Sequence, residues 1–223
     1  GQLSSVEENY MAGVVIIGAG HAAGQAAASL RQAKYEGDIT LIGDEAHIPY
    51  QRPPLSKAYL KGDQNADKVY LRAKSFYAER DIAMKLNTSA TGIDTQSKTV
   101  ALSTGETLDY DHLLISTGSR PRKLSIEGSD LPGIHYLRTM DDVDGLHDGM
   151  QPDANLVIVG GGYIGLEVAA VGRELGLNVR VLEMEERILQ RVTTREMSAY
   201  YHQLHEGRGV NIRTSTGVTG FAG

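Results

Sequence analysis

The chain has 223 residues, 41% of them apolar, which suits one large or two small α/β domains with proper cores. A net charge of −6 argues against a nucleic-acid surface, and no apolar run approaches the length of a membrane span. With no cysteine, these residues supply no disulfide, iron–sulfur ligand or thiol nucleophile, which fits the cytoplasm.

Residues 1–11 read as a polar leader, expected to be disordered, with nothing resembling a signal peptide. A β-branched run, Val14 to Ile17, then meets Gly18-Ala19-Gly20-His21-Ala22-Ala23-Gly24 and a helix from about Ala22 to Ala33. In this G-x-G-x-x-A loop, Gly18 permits the tight turn and Gly20 lets backbone approach a pyrophosphate. Ala23 keeps helix and strand close. The helix N-terminus offers N–H groups and a positive dipole to phosphate. A second strand, Ile39 to Ile42, leads to Asp44, where a carboxylate can accept ribose hydroxyls. Without a ligand the loop would be a tight turn only, but strand, helix and acid stand in the right order. His21 follows the second glycine, and contact with a pyrophosphate competes with simple exposure.

The next segment, Pro49-Tyr50-Gln51-Arg52-Pro53-Pro54-Leu55-Ser56-Lys57, is stiffened by its prolines, with Ser56 expected to start a short helix. It can hold Arg52 and Lys57 at defined positions; on spacing alone, a surface loop with solvated charges is the better reading. Further on come Arg80 to Leu86, a hairpin around Ser103 to Glu106, and a strand His112 to Ile115 entering Ser116-Thr117-Gly118.

A second strand–loop–helix unit follows: Leu156 to Val159, then Gly160-Gly161-Gly162-Tyr163-Ile164-Gly165, with a helix from about Ile164 to Leu175. All three glycines of G-x-G-x-x-G are present. Glu183 closes the following strand, Val179 to Leu182, about 20 residues on, where a ribose-binding acid belongs. A carboxylate there accepts from a 2′-hydroxyl and repels a 2′-phosphate, so NADH is preferred over NADPH. Arg180 and Arg187 flank it, and Arg187 reads as a solvated charge. Glu167 is expected in the first helical turn, either stabilising its own helix or pairing with a cation. Tyr163 is bulky for a phosphate loop; it reads as packing or as a lid over a cofactor.

Two such loops suggest two dinucleotides held face to face, a flavin taking hydride from a nicotinamide. The fold expected is three-layer α/β with two Rossmann-like modules and parallel sheets, divided at 12–120 and 121–223. Arg208 to Arg213 repeats Arg80 to Leu86, but no second hairpin follows. The repeat implies that roughly 25 residues of this module are missing, so the chain reads as a fragment of a longer protein. His47, His112, His135 and His147 show no ligand spacing, and His202 and His205 lack nearby partners, so no metal site is expected.

Five strings resemble the FAD-dependent ferredoxin and rubredoxin reductases that serve bacterial oxygenases and cytochromes P450. They are Gly-Ala-Gly-His-Ala-Ala-Gly, the Pro-Pro run, Ser116 to Arg122, Tyr136-Leu137-Arg138-Thr139, and Gly-Gly-Gly-Tyr-Ile-Gly-Leu-Glu. Apoptosis-inducing-factor-like flavoproteins share the Pro-Pro motif. The resemblance implies FAD on Gly18, Gly20, His21, Ala22, Ala23, Asp44, Lys57, Ala90 and Arg138, with Arg52, Thr117, Gly118 and Arg122 as further contacts. It implies NADH on Gly160, Gly162, Tyr163, Ile164, Gly165 and Glu183. It also implies a Lys57–Glu167 pair near flavin N5, and Tyr163 yielding to the nicotinamide. The expected activity passes hydride from NADH to FAD, then single electrons to a [2Fe-2S] ferredoxin or a rubredoxin. The absence of redox cysteines argues against disulfide reductases. A cysteine-free NADH oxidase or nitrite-reductase-like flavoprotein is the alternative enzyme, and a slow redox-sensing interaction protein the alternative of another class.

Overall fold

The computed structural model describes residues 13–223, so the expected leader falls outside the described residues. The chain divides into two compact units. The first comprises 13–51 and 70–119; the second comprises 52–69 and 120–223. The stiff proline segment from Arg52 to Val69 therefore clusters with the second unit, which a linear division near 120 does not anticipate.

In the first unit, strands β1 (Val14–Ile17), β2 (Ile39–Ile42), β3 (Ile82–Lys85) and β7 (His112–Ile115) form a parallel sheet in the order β3-β2-β1-β7. Helix α1 (His21–Gln32) connects β1 to β2. Strand side chains alternate between faces, and both faces of this sheet are covered. Val14, Ile16, Ile39 and Leu41 pack with Ala23 and Ala27 of α1 and with Tyr77. Val15, Ile17 and Ile42 pack with Val100, Leu102 and Tyr110. Val100 and Leu102 belong to an antiparallel meander of β4 (Ala90–Asp94), β5 (Thr99–Leu102) and β6 (Thr107–Asp109), and Tyr110 directly follows β6. Helix, parallel sheet and meander make the three layers. The predicted hairpin is the β5–β6 turn, where Gly105 takes φ 87°.

In the second unit, β8 (Asn155–Val159), β9 (Asn178–Leu182) and β10 (Asn211–Arg213) form a parallel sheet in the order β10-β9-β8, repeating β3-β2-β1. Helix α6 (Tyr163–Glu174) covers one face through Leu166, Ala169 and Val171, and α7 (Arg195–Glu206) precedes β10. The unit also holds short helices α2 (Ala58–Lys61) and α3 (Ala66–Val69), and α5 (Met140–His147). Helix α4 (Lys74–Ala78) belongs to the first unit. Among the described residues, no helix is long and apolar enough to cross a membrane.

Candidate functional site

Each glycine loop is shaped by its own strand and helix. Gly18 takes φ 121°, and a Cβ there would lie 2.3 Å from the Ser116 carbonyl oxygen, so only glycine fits. This also sets Ser116, Thr117 and Gly118 beside the first loop, where the Ser116 N–H donates to the Ile17 carbonyl at 2.8 Å. Gly20 is the N-cap of α1, His21 and Ala22 are exposed in its first turn, and Ala23 is fully buried against the sheet.

The second loop repeats the pattern. Gly160 takes φ 111°, and Gly162 caps α6. At Gly165 a Cβ would sit 2.2 Å from the Gly160 carbonyl, so the third glycine is what lets helix and loop meet. Tyr163 and Ile164 open α6, and each is 54% exposed.

Neither α1 nor α6 has a side-chain N-cap. By contrast, α5 is capped by Thr139 in a capping box and α7 by Thr194. A Cβ placed on Gly20 or Gly162 would meet nothing within 4 Å. Each glycine helix thus presents uncapped first-turn N–H groups to open space, as an anionic diphosphate requires. The residues fit dinucleotides.

The two acids differ in register. The Gly43 N–H donates to the Lys85 carbonyl just as the Glu183 N–H donates to that of Arg213. Gly43 therefore occupies the position of Glu183, and Asp44 lies one residue further, exposed on the turn. Glu183 Oε2 accepts from the Gly161 N–H at 2.7 Å, and Oε1 accepts from the Glu185 N–H at 2.8 Å. The acid is tied to the glycine loop itself.

Lys57 and Glu167 meet: Nζ lies 2.8 Å from Oε2. Glu167 is the fifth residue of α6, and the first turn holds no acidic residue. This corrects the first-turn expectation. The dipole fades beyond the first turn, so the cation and not the helix end accounts for the placement. Ser56 departs from expectation as well. It closes a 3₁₀ turn, Pro53–Ser56, and its hydroxyl donates to Glu167 Oε2 at 2.5 Å instead of capping a helix. Sequence reasoning missed this role because the partner is 111 residues away. Arg52 Nη1 donates to the Arg138 carbonyl at 2.6 Å.

Arg187 is a second correction. Instead of being solvated, it donates Nη1 to Ser198 Oγ at 2.5 Å and to the Thr193 carbonyl at 3.0 Å, and Nη2 to the Gln190 carbonyl at 2.9 Å. His202 pairs with Glu206 at 3.3 Å, and His205 is half-buried.

Of the residues expected on the flavin side, Gly18, Gly20, His21, Ala22, Ala23, Asp44, Ala90, Thr117 and Gly118 lie in the first unit. Arg52, Lys57, Arg122 and Arg138 lie in the second, with Gly160, Gly162, Tyr163, Ile164, Gly165, Glu167 and Glu183.

The profile of the pyridine nucleotide-disulphide oxidoreductases matches residues 12–223. Rhodocoxin reductase of Rhodococcus erythropolis is 43% identical over 205 residues, covering 92% of this chain and 48% of that protein. Putidaredoxin reductase of Pseudomonas putida is 43% identical over 211 residues, covering 93% and 50%. The crystal structure of the ferredoxin reductase for the CYP199A2 system of Rhodopseudomonas palustris superposes with a TM-score of 0.89 at 41% identity, covering 95% of this chain and 52% of that one. The chain spans about half the length of the curated relatives it matches. Two uncapped glycine-loop helices on parallel sheets, matched end to end by one profile, place the chain in the pyridine nucleotide-disulphide oxidoreductase family.

Proposed function

We propose that the chain is the nucleotide-binding part of a flavoprotein reductase that takes hydride from NADH onto FAD. Single electrons then pass to a [2Fe-2S] ferredoxin or a rubredoxin feeding an oxygenase or cytochrome P450. The observation that carries this reading is the pair of open, uncapped glycine cradles at α1 and α6. FAD, when bound, supplies a ring that accepts two electrons together and releases them singly.

This chain's residues do the rest. In this reading Gly18, Gly20, His21, Ala22, Ala23, Thr117 and Gly118 hold the FAD diphosphate and its surroundings, Asp44 the ribose, and Ala90 the adenine. Arg52, Arg122 and Arg138 are assigned further FAD contacts. Gly160, Gly162, Ile164 and Gly165 hold the NADH diphosphate, and the Glu183 carboxylate selects a ribose over its 2′-phosphate. Lys57 provides a positive charge for the reduced ring, oriented by Glu167. Tyr163 is exposed at the head of α6, where it can cover the ring and move aside. We place the reaction in the cytoplasm, one of the compartments where NADH is available. With no cysteine in these 223 residues, no disulfide relay runs through them. The names of the relatives, reductases of rhodocoxin and putidaredoxin, support the choice of acceptor.

The test is NADH-dependent reduction of ferredoxins and rubredoxins by the full-length protein purified with its flavin. Acceptor reduction at a rate well above that of dioxygen supports the reading. Reduction of dioxygen alone would make it an NADH oxidase, and a flavin that NADH does not bleach would end the proposal.

A further inference from the structure

Ser56 is 4% exposed, and its hydroxyl donates to the same carboxylate oxygen, Glu167 Oε2, that the Lys57 ammonium contacts. The ion pair itself is open to water: the Lys57 side chain is 49% exposed and that of Glu167 32%. Lys57 Nζ also donates to the Pro53 carbonyl at 3.2 Å, but a carboxylate on a long side chain, left alone, samples many geometries. The serine does not. It ends a 3₁₀ turn begun by Pro53 and Pro54, whose fixed φ stiffens it. The same segment is tied down on both sides, by Arg52 to the Arg138 carbonyl and by the Tyr59 hydroxyl to Asp144 Oδ1 at 2.8 Å. One short bond from a hydroxyl anchored in this way sets the direction of the Glu167 carboxylate.

We propose that Ser56 is a positioning residue: its buried hydroxyl fixes the Glu167 carboxylate, and through it holds the Lys57 ammonium in one place. This rests on the reading of Lys57 as the cation that serves the flavin. Electrostatic assistance depends on a charge already in position when the electrons arrive, so a wandering ammonium costs rate even though its charge is kept. Ser56 touches no nucleotide in this scheme and acts only through Glu167.

The test uses the full-length flavoprotein and stopped-flow reduction by NADH. Ser56→Ala should slow flavin reduction about tenfold with little change in NADH affinity, and Ser56→Thr should restore it. In a Glu167→Gln background, Ser56→Ala should add no further loss, because its route to Lys57 is already cut. An equal loss in both backgrounds, or none in either, would overturn the proposal. Ser56→Cys, close in volume and a weak donor, replaces Ser56→Ala if the latter does not fold.

A second readout needs no turnover. In nitrogen NMR of the protein without NADH, the Lys57 side-chain signal should broaden in Ser56→Ala and sharpen again in Ser56→Thr. A signal indifferent to both sinks the idea. If the unmodified protein fails to pass hydride to flavin, the functional reading falls while this measurement still judges Ser56.

Discussion

The Glu183 carboxylate accepts the Gly161 backbone N–H at 2.7 Å, so the acid assigned to ribose recognition also holds the glycine loop in shape. Its other oxygen takes the Glu185 N–H, which leaves each oxygen a further lone pair for a hydroxyl. Loop geometry and cofactor choice are thereby coupled. Glu183→Ala should weaken NADH binding about tenfold, narrow discrimination against NADPH, and destabilise the second unit by about 1 kcal/mol through two lost backbone partners. Titration calorimetry with both nucleotides, alongside urea unfolding, checks this. An unchanged NADH-to-NADPH ratio would remove Glu183 from ribose recognition.

Arg187 closes the loop that follows. Its guanidinium ties the Thr193 and Gln190 carbonyls and the Ser198 hydroxyl, and Ser198 in turn donates to the Ile188 carbonyl at 2.7 Å. Arg187→Ala leaves these acceptors partly buried without a donor and should cost about 2–3 kcal/mol in urea unfolding. Arg187→Lys should recover little, because the three N–H bonds of an ammonium radiate from one nitrogen and cannot reproduce acceptors reached from two nitrogens of a planar guanidinium. Full recovery by lysine would reduce the role to charge alone.

How far the sequence could be read depended on whether a signal was local. The strand runs at Val14 and Leu156 and the glycines at 18, 20, 160, 162 and 165 announce themselves within about ten residues, and the two helices that follow these glycine loops start within one residue of their expected places. The Lys57–Glu167 contact came from resemblance, not spacing. Ser56 read as a helix starter because capping is local chemistry, but its hydroxyl caps no helix and turns instead to a carboxylate 111 residues away. Arg187 ties itself mainly to carbonyl oxygens, which every residue has, so no side-chain pattern marks its partners. The pairing of 52–69 with the second unit likewise rests on contacts with α5 and α6 that no periodicity encodes.

His205 gives the second unit a pH dependence. Burial, with the Arg208 charge in second place, lowers its pKa from the ordinary value of 6.5. The unfolded chain therefore binds a proton more readily than the folded one, and stability is fully present above pH 6.5. It should fall as pH drops through the unfolded and then the folded value. His205→Gln should flatten this slope in thermal unfolding between neutral and mildly acidic pH. A slope unchanged by the substitution would assign the effect to other groups.

The glycines separate room for the protein from room for its ligand. At Gly165 an added methyl collides with the Gly160 backbone carbonyl, so Gly165→Ala should both destabilise the second unit and abolish NADH binding. At Gly162 the φ of −82° suits alanine, and a Cβ meets nothing within 4 Å. Gly162→Ala should therefore fold with a change of about 1 kcal/mol or less, yet its methyl would stand where a diphosphate must approach the backbone. NADH affinity should fall at least about tenfold with the unfolding midpoint nearly unmoved. Gly20→Ala should do the same for FAD in the first unit, where φ is −89° and the space is equally open. Fluorescence quenching of FAD and NADH against thermal unfolding distinguishes the two classes. If Gly162→Ala binds NADH as tightly as the parent, the space beside that glycine is not where the phosphates lie.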